Sequence, residues 1–258
     1  MSKVVITGQD LTVEQIVAVC RECAPLELSE ETKKSVLESR QIVDDLIAEE
    51  KVVYGITTGF GKFSDVVISQ DQCKDLQKNL IITHAVGAGN PFTKDIARGI
   101  MLLRINNLAK GFSGIRLETL QTMVDMLNKG VTPIIPEKGS LGASGDLAPL
   151  SHMVLPMIGL GIAEYEGEVL PGAEAMARAG IPTIELSAKE GLALNNGTQA
   201  MTSAGTLALY DALNLLKVAD ITAALDFEAQ NGVVDALDHR VHDVRPHSGQ
   251  LATARNLL

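Results

Sequence analysis

The chain has 258 residues, a formal net charge of −10 at pH 7, 46% hydrophobic residues, 3% aromatics and no tryptophan. That length supports one large or two small domains, and the core must be filled by Leu, Ile, Val and Ala. The acidic balance argues against nucleic acid, whose phosphates require basic surface.

Met1-Ser2-Lys3-Val4-Val5 lacks the apolar core and cleavage site of a signal peptide, so a cytoplasmic location is expected. Two charge-free stretches, Leu147 to Ala163 and Gly191 to Tyr210, are interrupted by prolines, His152, asparagines and hydroxyl residues. They read as buried helices rather than membrane spans. The cysteines are Cys20, Cys23 and Cys73. An odd count suits a reducing compartment, and Cys20-x-x-Cys23 has no second pair to close a zinc site. Both of its cysteines read as incidental residues of a helix.

In chain order, Val4 to Thr7 reads as a short strand. Thr12-x-x-Gln15 is a capping box that opens a helix to about Cys23. Ser29 caps a second helix to about Glu50. Ser69-x-x-Gln72 opens a third, reaching His84. Thr93 starts a helix through Ala109, stopped by Gly111, and Ser113 starts another, stopped by Gly130. Pro133 to Pro136 leads into a glycine-rich loop. After it Asp146 caps a helix whose apolar face is Leu147, Leu150, Met153 and Val154. Gly161 to Leu170 alternates around Gly167 as a small hairpin. Thr198 to Gln230 is Ala/Leu-rich and reads as one long buried helix, with Asn195 as its cap. The class is mostly α with a few short strands. Gly249 to Leu258 reads as helix with no stop signal, so the chain is expected to be the N-terminal half of a longer polypeptide.

The loop Gly139-Ser140-Leu141-Gly142-Ala143-Ser144-Gly145-Asp146 carries the most distinctive chemistry. The amide nitrogen of Gly145 can attack the carbonyl carbon of Ala143. Loss of two waters then gives an imidazolone ring with an exocyclic methylidene made from the Ser144 side chain. Gly145 lets its nitrogen approach closely, Ala143 adds little bulk, and Ser144 carries the hydroxyl that leaves. The product is an electrophile in a chain otherwise built from nucleophilic side chains.

Residues 139–150 resemble the signature of the aromatic amino acid ammonia-lyase family. Three further segments resemble family elements in the family's order: Tyr54 to Gly61 its tyrosine loop, Thr83-His84-Ala85-Val86-Gly87 its substrate-selecting segment, and Glu190 to Gln199 its asparagine loop. Arg245 to Gln250 resembles another. The resemblance implies a long-helix bundle of the ammonia-lyase/fumarase-like type, with residues 1–258 forming one catalytic-loop region and 198–258 opening the central bundle. It implies elimination of ammonia through a self-made methylidene-imidazolone from Ala143, Ser144 and Gly145, with no metal and no external cofactor. Tyr54 is then the base for the β-proton. An ordinary tyrosine titrates near ~10, so it needs a nearby dipole or positive charge to serve. His84 contacts substrate and Asn196 hydrogen-bonds substrate or ring.

A small hydroxyl residue followed by His goes with histidine substrates in this family, which implies urocanate as product. Thr83 stands where serine is usual. The family also implies a homotetramer whose active sites draw on several subunits. Its carboxylate-binding arginine, a second tyrosine and a glutamate lie in the C-terminal half, so weak activity is expected of this chain alone. Three alternatives remain open: a tyrosine or phenylalanine lyase or aminomutase, a non-catalytic half completed by a partner chain, and a helical scaffold whose loop never cyclises. Two other patterns are set aside. Gly55 to Lys62 lacks the spacing and the Ser/Thr of a phosphate-binding loop. His239, His242 and His247 are interrupted by Arg245 and Pro246, and read as a solvated segment.

Overall fold

The first two helices start as the local capping chemistry dictates. In the computed structural model, which describes residues 2–53, 55–59, 70–142 and 145–258, α1 (Val13–Arg21) opens on a complete capping box. Gln15 N–H donates to Thr12 Oγ1 at 3.3 Å, and Thr12 N–H donates to Gln15 Oε1 at 2.9 Å. Ser29 caps α2 (Glu30–Ala48) by accepting from Thr32 N–H at 3.1 Å. The Ser69 cap lies outside the described residues; its helix, α3 (Gln70–His84), ends on His84 as expected. α4 (Lys94–Leu108) follows Thr93, and Gly111 beyond it has φ +74°.

The fifth helix departs from expectation. α5 (Leu117–Lys129) begins four residues after Ser113, with Arg116 at the cap position. Tertiary bonds take the intervening backbone out of the helix. Gly114 N–H donates to Ser39 Oγ, the Gly114 carbonyl accepts from Arg40, and Arg116 N–H donates to Glu190 Oε1. Gly130 ends α5 in the left-handed region as predicted.

The short strands form three small sheets. β1 (Val4–Ile6) pairs in parallel with β2 (Leu26–Leu28), Val4 opposite Leu26. β3 (Ala88–Pro91) runs antiparallel to β5 (Pro136–Lys138). β4 (Thr132–Pro133) pairs with β6 (Ile162–Tyr165), which turns back into β7 (Glu168–Pro171). That last turn is the expected hairpin. Glu166 and Gly167 both have positive φ, 50° and 83°, as a two-residue turn between right-twisted strands requires.

The chain divides into two compact units, Met1–Gly205 and Thr206–Leu258. In the first, α4 is the axis of the core. Ile100, Met101, Leu102, Ile105 and Leu108 are each at most 1% exposed. Methionines share the filling with Leu, Ile, Val and Ala: Met101, Met123, Met126, Met153, Met157 and Met176 are all buried. Arg98 on α4 is 1% exposed and donates to the carbonyls of Val19 and Leu127, tying α4 to the last turns of α1 and α5. Cations are favoured at such carbonyl ends.

α6 (Leu147–Val154), α7 (Gly172–Arg178) and α8 (Glu190–Asn195) complete this unit with the start of α9 (Gln199–Ala229). The α6 face is as predicted at Leu150, Met153 and Val154, with Leu147 half-buried. α9 runs the expected length but is not a buried helix in this chain. Leu209, Leu213, Leu215, Leu216, Ile221 and Leu225 are between 50% and 68% exposed. Its apolar residues recur around the whole circumference, so covering them takes neighbours on every side. The second unit holds the rest of α9 with α10 (His239–Asp243) and α11 (Ser248–Leu257), and Asn256 Nδ2 donates to Asp220 Oδ2 at 2.7 Å. Among the described residues, no helix is long and apolar enough to cross a membrane.

One close approach aligns the site-bearing helices. α3 packs on α8 at Gly191, whose N–H donates to the fully buried Gln77 Oε1 at 2.8 Å. A Cβ on Gly191 would meet the Gln77 carbonyl oxygen and Oε1, each at 2.9 Å. Gly191→Ala is therefore expected to cost about 1–3 kcal/mol of stability by overpacking, read as a lowered denaturation midpoint. An unchanged midpoint would mean that the two helices are not held in contact there.

Candidate active site

The site is built where the end of the glycine-rich loop meets the turn between α8 and α9. Gly145 has φ +128°, a conformation that side chains rarely adopt. A Cβ there would lie 2.8 Å from both the nitrogen and the oxygen of Gly197 and 2.9 Å from Asn196 Oδ1. Gly145 is thus pressed flat onto the Asn196-Gly197 turn. The next residue fixes the contact, because Asp146 N–H donates to the Gly197 carbonyl at 2.6 Å.

Asp146 occupies the cap position of α6 but its side chain does not cap that helix, contrary to expectation. The carboxylate, 1% exposed, accepts from Ser140 Oγ at 2.6 Å and from Met201 N–H at 2.9 Å. Met201 lies in the first turn of α9. Asp146 therefore caps the long helix from across the site, where the helix end favours negative charge. The same carboxylate, through Ser140, draws the start of the glycine-rich loop toward its end. Asn195 is correspondingly not the cap of α9. It is the last residue of α8, fully buried, with Nδ2 donating to Ser151 Oγ at 3.3 Å. Asn196, one residue on, is exposed and turns its Oδ1 to Gly145.

His84 ends α3 beside this contact. Its Nδ1 lies 2.8 Å from the Leu80 carbonyl, which can only accept, so Nδ1 carries the proton and Nε2 is left for another partner. A cavity of about 170 Å³ is lined by His84, Gly145, Val86, Leu141 and Leu147, among others. The structure thus brings His84, Gly145 and Asn196 together. Tyr54, Ala143 and Ser144 lie outside the described residues. The neighbours of Tyr54 form a tied turn: Val53 N–H donates to Thr57 Oγ1, Gly55 N–H donates to Thr58 Oγ1, and Thr58 is buried.

The residues present fit a ring closed between positions 143 and 145. Position 145 accepts glycine alone, and the loop is drawn in at both ends by one buried carboxylate. Two supports beneath the site were not anticipated from sequence. Glu190, fully buried at the start of α8, accepts from Arg116 Nε, Nη2 and N–H, from Thr119 Oγ1 at 2.6 Å and from Ser187 N–H at 2.7 Å. Arg104, 3% exposed on α4, donates to Gln199 Oε1 at 3.1 Å and to the Ala193 carbonyl. A hint was available for Arg104: it is the lone charge between Ile100 and Leu108, directly after the apolar run Ile100 to Leu103.

The cysteines stay apart from this chemistry. Burial pushes the Cys20 thiol up to about 12, and Cys73 is raised for the same reason, which makes both poor nucleophiles. Among the described residues no group of three or more His, Cys, Asp or Glu is arranged to hold a metal. His239 Nδ1 instead lies 2.9 Å from Asp243 Oδ2.

The segment after His84 is anchored by a titratable bond. Gly87 N–H donates to His152 Nε2 at 3.0 Å, which requires that nitrogen to be unprotonated. Burial holds the His152 pKa below its ordinary value. The unfolded chain therefore takes up this proton first as pH falls. The stability due to neutral His152 is complete above about 6.5 and drains as pH falls from there toward the depressed folded value. The urea midpoint of the chain is expected to fall more between about pH 7.5 and about pH 5 than that of His152→Gln. Equal pH dependence in both would contradict the role of this bond.

The fold is shared with known proteins. Residues 11–258 match the family described as aromatic amino acid lyase. The chain is 62% identical over 258 residues to a histidine ammonia-lyase of Clostridium tetani (strain Massachusetts / E88), covering 100% of this chain and 50% of that protein. Among solved structures, histidine ammonia-lyase from Trypanosoma cruzi superposes with a TM-score of 0.93 at 37% identity, covering 99% of this chain and 50% of that one. Tyrosine aminomutase from Streptomyces globisporus gives 0.92 at 39% identity, covering 99% and 48%. The chain spans about half the length of the curated relatives it matches. With its family match running over all but the first ten residues, and a carbon–nitrogen lyase fold to go with it, the chain belongs to the aromatic amino acid lyase family.

Proposed function

We propose that this chain supplies the electrophile-bearing half of a lyase that removes ammonia from L-histidine to give urocanate. The observation that carries the reading is the meeting of His84 and Gly145 at one cavity, with Asn196 against Gly145 and Gly145 in a position that only glycine can hold. The relatives' identity as histidine ammonia-lyases, at 54–62%, favours histidine over other aromatic amino acids.

The methylidene-imidazolone made from Ala143, Ser144 and Gly145 supplies, once formed, an electrophile that makes the α-amino group a better leaving group, so no external cofactor is needed. The chain's own residues do the rest. Tyr54 takes the β-proton as the Cα–N bond breaks and the Cα–Cβ double bond forms. His84, with Nδ1 already engaged by Leu80, presents Nε2 to the substrate imidazole. Asn196 orients the amino acid against Gly145. The exposed apolar residues of α9 support a tetramer in which neighbouring subunits cover that helix, as the family resemblance implies. Because the family's carboxylate-binding arginine lies in the half beyond this chain, residues 1–258 alone are expected to turn over weakly.

A chimera tests the reading: this chain joined at Leu258 to the C-terminal half of the Clostridium tetani relative. It is expected to release ammonia from L-histidine with formation of urocanate. Ser144→Ala in the same chimera is expected to slow turnover on the order of 10³-fold or more. Preference for tyrosine or phenylalanine would shift the reading to the aminomutase-like branch. Full activity in Ser144→Ala would overturn the electrophile itself.

A further inference from the structure

Arg104 is a buried cation in an adverse place. It is 3% exposed, and both of its acceptors, Gln199 Oε1 and the Ala193 carbonyl, are neutral. Among the described residues no carboxylate pairs with it, and its Nε has no protein partner. Burial pulls its pKa down to about 10, so it keeps its charge at neutral pH.

Arg98, on the same helix and equally buried, directs its donors to carbonyls in the last turns of α1 and α5, where helix dipoles favour a cation. Arg104 instead meets Gln199, the first residue of α9, at that helix's positive end. Lys189, half-buried and without an ion pair among the described residues, has its pKa lowered by burial and, to a lesser extent, by Arg104 nearby. Two cations without an ion-paired carboxylate among the described residues thus lie together in a chain whose net charge is −10, while the Asp146 carboxylate at the first turn of α9 is committed to Ser140 Oγ and Met201 N–H. Unpaired buried charge is costly, and an acidic partner would remove the cost.

What lies above Arg104 gives that cost a use. A Cβ on Gly197 would come within 2.4 Å of Arg104 Nη1, and the nitrogen and oxygen of Gly197 lie 2.8 Å from the Cβ position of Gly145. One glycine backbone separates the guanidinium from Gly145. The structure assigns to Arg104 the role of a positioning residue that holds the Asn196-Gly197 turn against Gly145 and, lacking a carboxylate partner, keeps a positive potential at the ring-forming segment. This rests on the electrophile reading above. In a buried setting the charge is weakly screened, and it favours any state in which negative charge resides on the segment ending at Gly145.

Gln199→Glu separates this role from simple packing. The substitution keeps the shape of the bridge but gives Arg104 a carboxylate, and places an acid at the start of α9, so the variant is expected to melt at or above the wild-type temperature. The readout is capture of cyanide by the purified chain, followed by intact mass and mapped to the peptide bearing Ala143-Ser144-Gly145. Wild type is expected to lack two waters and to capture the probe, and Gln199→Glu to capture it about tenfold or more slowly. A folded Gln199→Glu with the wild-type capture rate would overturn the role of Arg104 and leave the electrophile reading intact. A wild-type chain with its full unmodified mass and no capture would overturn both.

Discussion

The contact between Gly145 and the Asn196-Gly197 turn is the constraint on which the site depends. Two glycines meet there without side chains between them, and the 2.6 Å bond from Asp146 N–H to the Gly197 carbonyl holds them together. Everything around the contact serves to keep it. Asp146 draws in Ser140 and caps α9; Gln77 and Gly191 lock the helix that carries His84 to the helix that carries Asn196.

The polar groups beneath the site separate into two kinds. Glu190 with Arg116 and Thr119 is a satisfied buried cluster, and it fixes where α8 begins and, through Arg116 N–H, where α5 begins. Arg98 is satisfied by carbonyls at two helix ends. Arg104 and Asn195 are less completely satisfied: Arg104 Nε and Asn195 Oδ1 have no partner among the described residues. Both lie within or directly under the asparagine loop. Local rules are broken where function is expected to require it, and kept where the task is only to fold.

The sequence was most legible where structure is local. The Thr12/Gln15 capping box, the Ser29 cap, the Gly130 stop and the Glu166-Gly167 hairpin each depend on residues within a few positions of one another, and each is found as read. The misread features depend on distant partners. The start of α5 moved because Arg116 N–H is taken by Glu190, and Asp146 caps α9 rather than its own helix because Met201 N–H faces it. β2, β3 and β5 are too short to show a period and pair only through the fold. The apolar composition of α9 correctly signalled a long helix, but burial depends on what surrounds it, which composition does not contain. For the site, ordered motifs gave His84, Asn196 and Gly145. Gly197 carries no chemistry of its own and emerges only from close approach in three dimensions, and Arg104 left only the hint of a lone charge on α4.

The most direct test of this account is the intact mass of the denatured chain with and without a methyl group at the contact, using Gly197→Ala. A Cβ there would press on Gln199 Oε1 at 2.2 Å and on Arg104 Nη1 at 2.4 Å, and so break the side-chain bridge that holds the turn against Gly145. The account predicts a deficit of two waters in the wild-type chain, mapped to Ala143-Ser144-Gly145, and the full unmodified mass in a folded Gly197→Ala chain. A folded Gly197→Ala chain that still lacks two waters would contradict the claim that this contact sets the loop for ring closure.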